Sequence, residues 1–473
     1  KSSGKWIVAY ASNYGQASYY VATVADKIYL NGEGTIDLRG LGGKGEYYKG
    51  LYDKLGVKYL CAKVGKYKSY VESNTQAGMS DYDREQREAY LGGIWNYWLK
   101  EMAEGRKIKV EDLNQLVNDH LLAFTACEDY VKAKLVDKIM FPEEIKDEIK
   151  GRLKLDKDGD VNQLSLADML NVKNKKKDKG EEIAIYYAYG SIVDSQAMNM
   201  LDGGGHCIVG KSTADDLRAL ADDDDVKAVV FRVNSGGGSA VASEQIRHAL
   251  KLVKAKKPVV VSMGGMAASG GYWISSPANY IFAEPTTITG SIGIFGLIPN
   301  FSGLVTDKLG VTFDGVKTNK FAGYETELVL GKETDDIMAE LQSHIDRGYQ
   351  SFLNIVSEGR GMKTEQVDEI AQGRVWLASD AIKIKLVDKL GSLDDAVKKA
   401  AELAKMKEYH TASYPAEPTW LEALMAKDNK GSYLDGELRE LLGDAYLPLM
   451  QIRNDIKNNS RIQARMLDDV RVK

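Results

Sequence analysis

The feature that most constrains this chain is that it repeats itself. Asp53-Lys54-Leu55-Gly56-Val57 returns as Asp307-Lys308-Leu309-Gly310-Val311, an offset of 254 residues. Glu104-Gly105-Arg106 with Lys109 returns at the same offset as Glu358-Gly359-Arg360 with Lys363. Lys134-Leu135-Val136-Asp137-Lys138 reappears as Lys385-Leu386-Val387-Asp388-Lys389 at 251, the shift expected from a loop three residues shorter. Nearer the N-terminus, Tyr19-Tyr20 matches Tyr272-Trp273 at 253. A register held over this length encodes the same set of elements twice, and 473 residues leave room for two sizeable cores.

The repeat also sets boundaries. The second copy opens on an apolar run near Ile183, and the offset projects the start of the first copy about 70 residues ahead of Lys1. The first copy is therefore expected to be incomplete at its start, with any targeting or anchoring segment outside this sequence. The expected organisation is an N-terminal repeat over 1–151, a charged linker over 152–181, a C-terminal repeat over 182–412 and a tail over 413–473. The lysine-rich stretch 172–180 has no apolar periodicity and reads as an exposed linker. The polar, amphipathic tail reads as an assembly arm.

Composition narrows the function classes. With 63 basic and 68 acidic residues the net charge is −5, and no basic stripe marks a nucleic-acid surface. The longest apolar stretches, such as Val259-Val260-Val261, fall far short of the ~20 residues of a membrane helix. Cys61, Cys127 and Cys207 are odd in number and form no C-x-x-C pair, which supports neither a disulfide framework nor a structural zinc site.

Within the second copy, β-rich apolar runs at 183–187, 226–233, 259–261 and 280–283 alternate with helical stretches such as 239–253. That alternation predicts βαβ units around a mostly parallel sheet. Two glycine-rich turns follow buried strands. In Asn234-Ser235-Gly236-Gly237-Gly238-Ser239, glycines would leave backbone N–H groups open to an anion or oxyanion, and Ser239 would cap the next helix. The turn lacks a P-loop ending and dinucleotide spacing. In Met263-Gly264-Gly265-Met266-Ala267-Ala268-Ser269-Gly270-Gly271, one hydroxyl stands among small residues, as a nucleophile approached by a substrate backbone would require. From this segment alone, a helix cap explains Ser269 equally well.

A serine hydroxyl needs a base. None of the five histidines (His120, His206, His248, His344, His410) lies between 249 and 343; a Ser-His-Asp triad stays open, since triads assemble in space. Lysine is the other choice. The 253 offset sets Ser269 opposite Gln16, whereas Lys68, within Gly65-Lys66-Tyr67-Lys68-Ser69, falls opposite Ala322 at 254. A serine in one copy and a lysine in the other is the pattern of one composite site drawn from both halves.

Taken together, Gly265 to Trp273, then Thr289-Gly290-Ser291-Ile292-Gly293, and Gly65-Lys66-Tyr67-Lys68-Ser69 with Val71-Glu72 resemble the signal peptide peptidase A family in its long, duplicated form. The resemblance covers essentially the whole chain up to the tail, and Arg461 to Met466 also looks familial. It implies an α/β fold of tandem duplicated Clp protease/crotonase-like ββα superhelical units, and a serine endopeptidase that degrades cleaved signal peptides with a Ser/Lys dyad. By motif, Ser269 would be the nucleophile, Lys68 the general base in preference to Lys66, and Ser291 the hydroxyl that orients the lysine. Gly238 and Gly270 would form the oxyanion hole, and Gly237, Gly265 and Met266 would border the substrate. No cofactor and no metal are implied. Hydrophobic signal peptides, a homotetramer, a bacterial inner-membrane location with the catalytic part on the periplasmic side, and an anchor outside this chain are implied. One departure is Gly236, where the family usually has proline.

A free lysine has a pKa of ~10.4, so Lys68 could act as a base only if burial lowered it. Two other readings compete. A crotonase-like acyl-CoA enzyme would place acids near the turns and a basic nucleotide site; a non-catalytic scaffold would have no need of both Ser269 and Lys68.

Overall fold

Parallel strands bury both faces, so their apolar residues alternate between two cores rather than between core and water. The central strands show this directly. Val229, Phe231, Val233, Val259 and Val261 face one core, while Ala228, Val230 and Val260 face another capped by Ala396, Val397 and Ala400 of the helix Leu393–Leu403. A computed structural model describes residues 3–156, 158–170, 180–195, 205–415 and 463–465. The lysine run of the expected linker and most of the expected tail lie outside these.

The chain forms two compact units, one drawn from Lys1–Gly43 and Leu91–Lys175, the other from Lys44–Tyr90 and Lys176–Asp468. Segment 44–90, with Lys68, thus belongs to the same body as Ser269. The reason is backbone pairing across the two halves of the sequence: Lys58–Lys63 runs antiparallel to Phe295–Asn300 over six register pairs.

In the larger unit an eight-stranded sheet runs Val375–Leu377, Ile288–Gly290, Val259–Ala268, Val226–Ser235, Glu181–Tyr189, Tyr409–Tyr414, with Tyr280–Ala283 also on Val259–Ala268 and Lys389–Leu390 beyond it. All its pairings are parallel except that of Ile288–Gly290 with Val375–Leu377. A second, six-stranded sheet has the order Lys58–Lys63, Phe295–Asn300, Gln463–Arg465, Gly237–Ser239, Ser191–Val193, Cys207–Val209. Ser239 caps the helix Ala240–Lys256 through its side chain, which accepts from Ala242 N, as its place after the glycine turn predicted. Two strands outrun their expected lengths: Val259–Ala268 continues through Gly264-Gly265 right up to Ser269, and Gly237–Ser239 is itself a strand. The smaller unit has a three-stranded parallel sheet, Val8–Ala11, Lys27–Leu30 and Lys138–Ile139, over a core that includes Tyr19, Ile28, Leu30, Leu99 and Met102. No helix among the described residues is long and apolar enough to cross a membrane.

The repeat is visible in atomic detail. Helices Asp81–Arg106 and Asp335–Arg360 each have 26 residues at an offset of 254. Tyr19 Oη donates to Leu135 O at 2.7 Å and Tyr272 Oη to Leu386 O at 2.8 Å. Arg106 Nε donates to Lys134 O and Arg360 Nε to Lys385 O, and each arginine also pairs with an aspartate, Asp137 or Asp388. The repeated Gly105 and Gly359 sit where a Cβ would come within 2.3 Å of Thr23 O or 2.1 Å of Ser276 O, which explains why Glu-Gly-Arg recurs as a unit.

Candidate active site

The strand Val259–Ala268 delivers Ser269 to the mouth of the short helix Gly270–Ser275. There Ser269 adopts φ 54° and ψ −119°, a backbone state unusual for an L-residue and worth roughly 1–3 kcal/mol of strain. Its N–H is tied to Gly290 O at 2.8 Å and its carbonyl accepts from Trp273 N at 2.8 Å. At the N-cap position its side chain makes no capping bond. The hydroxyl lies instead 2.9 Å from Lys68 Nζ, so the cap explanation does not account for this serine.

Lys68 is 1% exposed. Its Nζ has three oxygen neighbours: Ser269 Oγ at 2.9 Å, Ser291 Oγ at 3.1 Å and Ser291 O at 3.2 Å. The Phe295 ring centroid is 5.9 Å away. Among the described residues no carboxylate is bonded to the amine, and burial pushes its pKa well below the usual lysine range. Lys66 is exposed, with its amine over the rings of Tyr67 and Tyr82. Ser291, also at positive φ (51°), is fixed by its N–H to Arg374 O at 2.7 Å.

Glycines make room for the lysine. Gly65 (φ +103°) lets the Lys68 loop lie against the backbone of Gln372, where a Cβ would be 2.4 Å from that residue's carbonyl carbon; Tyr67 N donates to Gln372 O at 2.9 Å. A Cβ on Gly373 (φ +76°) would lie 2.7 Å from Lys68 Cβ. The buried Gln86 amide joins the pieces: Nε2 donates to Tyr67 O (3.1 Å) and Ser69 Oγ (2.9 Å), and Oε1 accepts from Val375 N (3.1 Å). Gly65 was visible in the sequence as part of a motif. Gln86, Gly373, Arg374 and Phe295 carried no signal, because they come from three separate segments that only folding brings together.

The strand Gly237–Ser239 holds the other glycine positions. Gly237 N donates to Ser235 Oγ at 3.1 Å, and Gly238 (φ +156°) pairs with Ile192, whose carbonyl oxygen leaves no space for a Cβ. A Cβ on Gly271 would meet Ser235 O at 2.6 Å, so the start of the Gly270 helix lies against the end of the strand leading to Gly238. The Gly270 N–H, at the first position of its helix, has no acceptor within it. Gly265 is exposed and Met266 half-buried beside it, where Met266 N donates to Asn234 Oδ1 at 3.0 Å. In the first repeat Gln16 occupies the position matching Ser269. Its buried amide accepts from Arg39 N (3.0 Å) and Gly40 N (2.9 Å) and donates to Gly40 O (3.1 Å), filling that place with structural bonds.

A strained, buried serine beside a buried lysine whose pKa is lowered by desolvation points to a hydrolase rather than a binding module. Comparison with known proteins agrees. The model of peptidase family S49 matches residues 1–156 and 251–407, and that of Clp protease matches 181–287. "Protease 4" of Salmonella typhi is 39% identical over 469 residues, covering 97% of this chain and 73% of that protein. "Protease 4" of Haemophilus influenzae is 40% identical, covering 86% and 66%. "Serine protease SPPA, chloroplastic" of Arabidopsis thaliana is 29% identical, covering 86% and 59%. This chain belongs to peptidase family S49 and is a serine protease with a tandem duplicated, Clp protease-like α/β fold.

Proposed function

We propose that the chain hydrolyses peptides through a Ser269/Lys68 dyad, with the hydrophobic segments of cleaved signal peptides as substrates. The observation that carries the reading is the buried Lys68 amine 2.9 Å from Ser269 Oγ. A neutral amine has two N–H donors and one lone pair. Ser291 O and Oγ take the donors, which aims the lone pair at the Ser269 hydroxyl. Ser269 Oγ attacks the scissile carbonyl while its proton passes to Lys68 Nζ; the ammonium then protonates the leaving amine. Water repeats the sequence on the acyl-enzyme, giving its proton to Lys68 and releasing the carboxylate. Gly238 and Gly270 N–H groups receive the oxyanion, worth roughly 3 kcal/mol each. The apolar surroundings that lower the Lys68 pKa suit an apolar peptide in extended form. A homotetramer, held at the periplasmic face of the bacterial inner membrane by a segment outside this chain, belongs to the same proposal and rests on the family resemblance.

The test is turnover of a synthetic signal peptide by the parent, Ser269→Ala and Lys68→Ala, with a folded protein as control substrate. Both variants are expected to lose at least a thousandfold in kcat/KM. Near-parental turnover by either removes the dyad, and equal turnover of the folded protein removes the substrate class.

A further inference from the structure

The counterpart helices Asp81–Arg106 and Asp335–Arg360 carry different chemistry in their first two turns. In the second copy Ile337 and Leu341 pack on the apolar cluster of Leu60, Ile298 and Leu328. At the offset of 254 the first copy has Asp83 and Arg87 in their places, and Gln86 where the second has the exposed Glu340. The preceding loop diverges too, with Lys68-Ser69 standing opposite Ala322-Gly323. Ser69, Asp83 and Gln86 are all buried. Asp83 Oδ1 accepts from Ser69 Oγ at 2.6 Å and from Gln86 Nε2 at 3.0 Å, and Oδ2 accepts from Arg87 Nε at 2.7 Å. The Gln86 amide has one workable orientation: turned over, its oxygen would face Tyr67 O and its NH2 would face Val375 N–H.

We infer that Asp83 and Gln86 are positioning residues for the general base, a buried polar frame that holds Lys68 within reach of Ser269. The inference rests on the dyad reading above. The fold itself does not need the frame, because the second copy builds the same 26-residue helix with Ile337 and Leu341 in apolar packing. Buried polar groups cost free energy unless each is partnered, so an acid, an amide and a hydroxyl kept together where apolar residues would serve call for another reason. Their bonds supply one. Gln86 ties Tyr67 O, one residue before the base, to Val375 N, one residue after Arg374, whose carbonyl takes the Ser291 N–H. Asp83 fixes which way the amide points, and Ser69, one residue after the base, is bonded to both. Lys68 is thus gripped on either side and kept in place against the serine that orients its amine. A cavity of about 20 Å³, room for a single water, is lined by Asp83, Gln86 and Arg87 together with Lys68, Ser291 and Gly373. The bonded neighbours of the amine are hydroxyl and carbonyl oxygens, while Asp83 and Arg87 pair with each other, so the frame acts on the lysine through placement rather than charge.

The experiment measures kcat and KM separately for a synthetic signal peptide, across a range of pH, in the parent and in variants of the frame. Gln86→Met keeps the length of the side chain and removes the amide. Its kcat is expected to fall about a hundredfold with KM within about twofold, the loss that a misplacement of about 1 Å brings. The acid limb of its kcat profile is expected to move up by about one pH unit, since an amine that slips from its place meets more water and regains basicity. Asp83→Ala is expected to match it, and Asp83→Asn, which keeps an oxygen toward Ser69 and Gln86, to stay within about tenfold of the parent. Ser69→Ala cuts a single hydroxyl from the frame and should lower kcat about tenfold with the limb moved in the same direction, which decides the matter should the other variants fail to fold. Gln16→Ala is the control: it removes a buried amide with three backbone bonds from the first repeat and should cost stability without either kinetic change. Parental kcat and an unmoved limb in Gln86→Met and Ser69→Ala, with Ser269→Ala inactive, would overturn the frame and leave the dyad standing. An equal loss of kcat in Gln16→Ala would overturn it as well, by showing that general destabilisation is enough. Turnover that survives Ser269→Ala or Lys68→Ala defeats the dyad, and the frame with it.

Discussion

Lys68→Met keeps an unbranched stem of similar reach and removes the titrating amine. In the folded chain, burial holds that amine well below the ordinary lysine range; in the unfolded chain it titrates near 10.4. Between those two values the unfolded state binds one more proton than the folded state, so the stability of the parent rises with pH by about 1.4 kcal/mol per unit. The cost of the buried amine is complete below its folded pKa and disappears as pH passes ~10.4. The variant has no such slope. It does give up the three polar neighbours of Nζ, at about 1 kcal/mol each, but that loss does not vary with pH. The sign of the difference at one pH is therefore a balance of two effects, whereas its change with pH isolates the titration. Urea unfolding of parent and variant at pH 8, 8.5 and 9 is expected to show the stability of the variant relative to the parent falling as pH rises, with a limiting slope of about 1.4 kcal/mol per unit. A difference independent of pH would falsify a neutral Lys68 and with it the base assigned to this enzyme.

Two further outcomes follow from the glycine and glutamine positions. Gly373→Ala puts a Cβ 2.7 Å from Lys68 Cβ at a φ of +76°, and a displacement of the amine by about 1 Å should lower kcat on the order of a hundredfold; preserved kcat would show that the loop yields without moving the amine. Gln16→Ala, in the first repeat, strands the Arg39 and Gly40 N–H groups and should cost roughly 2–3 kcal/mol in thermal or urea unfolding with kcat/KM unchanged, whereas a large loss of activity would mean that the first copy takes part in the chemistry.

The recurrence of Asp-Lys-Leu-Gly-Val, Glu-Gly-Arg and Lys-Leu-Val-Asp-Lys foretold two copies of one α/β unit because each motif is tied to local backbone demands: a close approach at Gly105 and Gly359, a carbonyl clasped by Arg106 and Arg360. Strand identity was legible for the same reason, since β-branched runs buried on both faces leave no polar alternation. Ser269 stood out among glycines, and the offset showed that it has Gln16 for a counterpart. The limits of the strands were not legible, because Gly264-Gly265 reads as a turn until a parallel neighbour, Ile288–Gly290, pairs with Met266, Ala267 and Ala268 just after it.

What the sequence by itself determined is the repeat, the family of the fold, and a short roster of residues able to do acyl-transfer chemistry. Only the tertiary structure decided which of them meet. It moved segment 44–90 into the body that holds Ser269, removed Lys68 from water while leaving Lys66 in it, and set a strand from the end of the chain against Gly238. The physical reason is common to all three: a lysine is a base only where it is desolvated, and a strand is a partner only where an edge is open, and both conditions belong to the surroundings a fold creates.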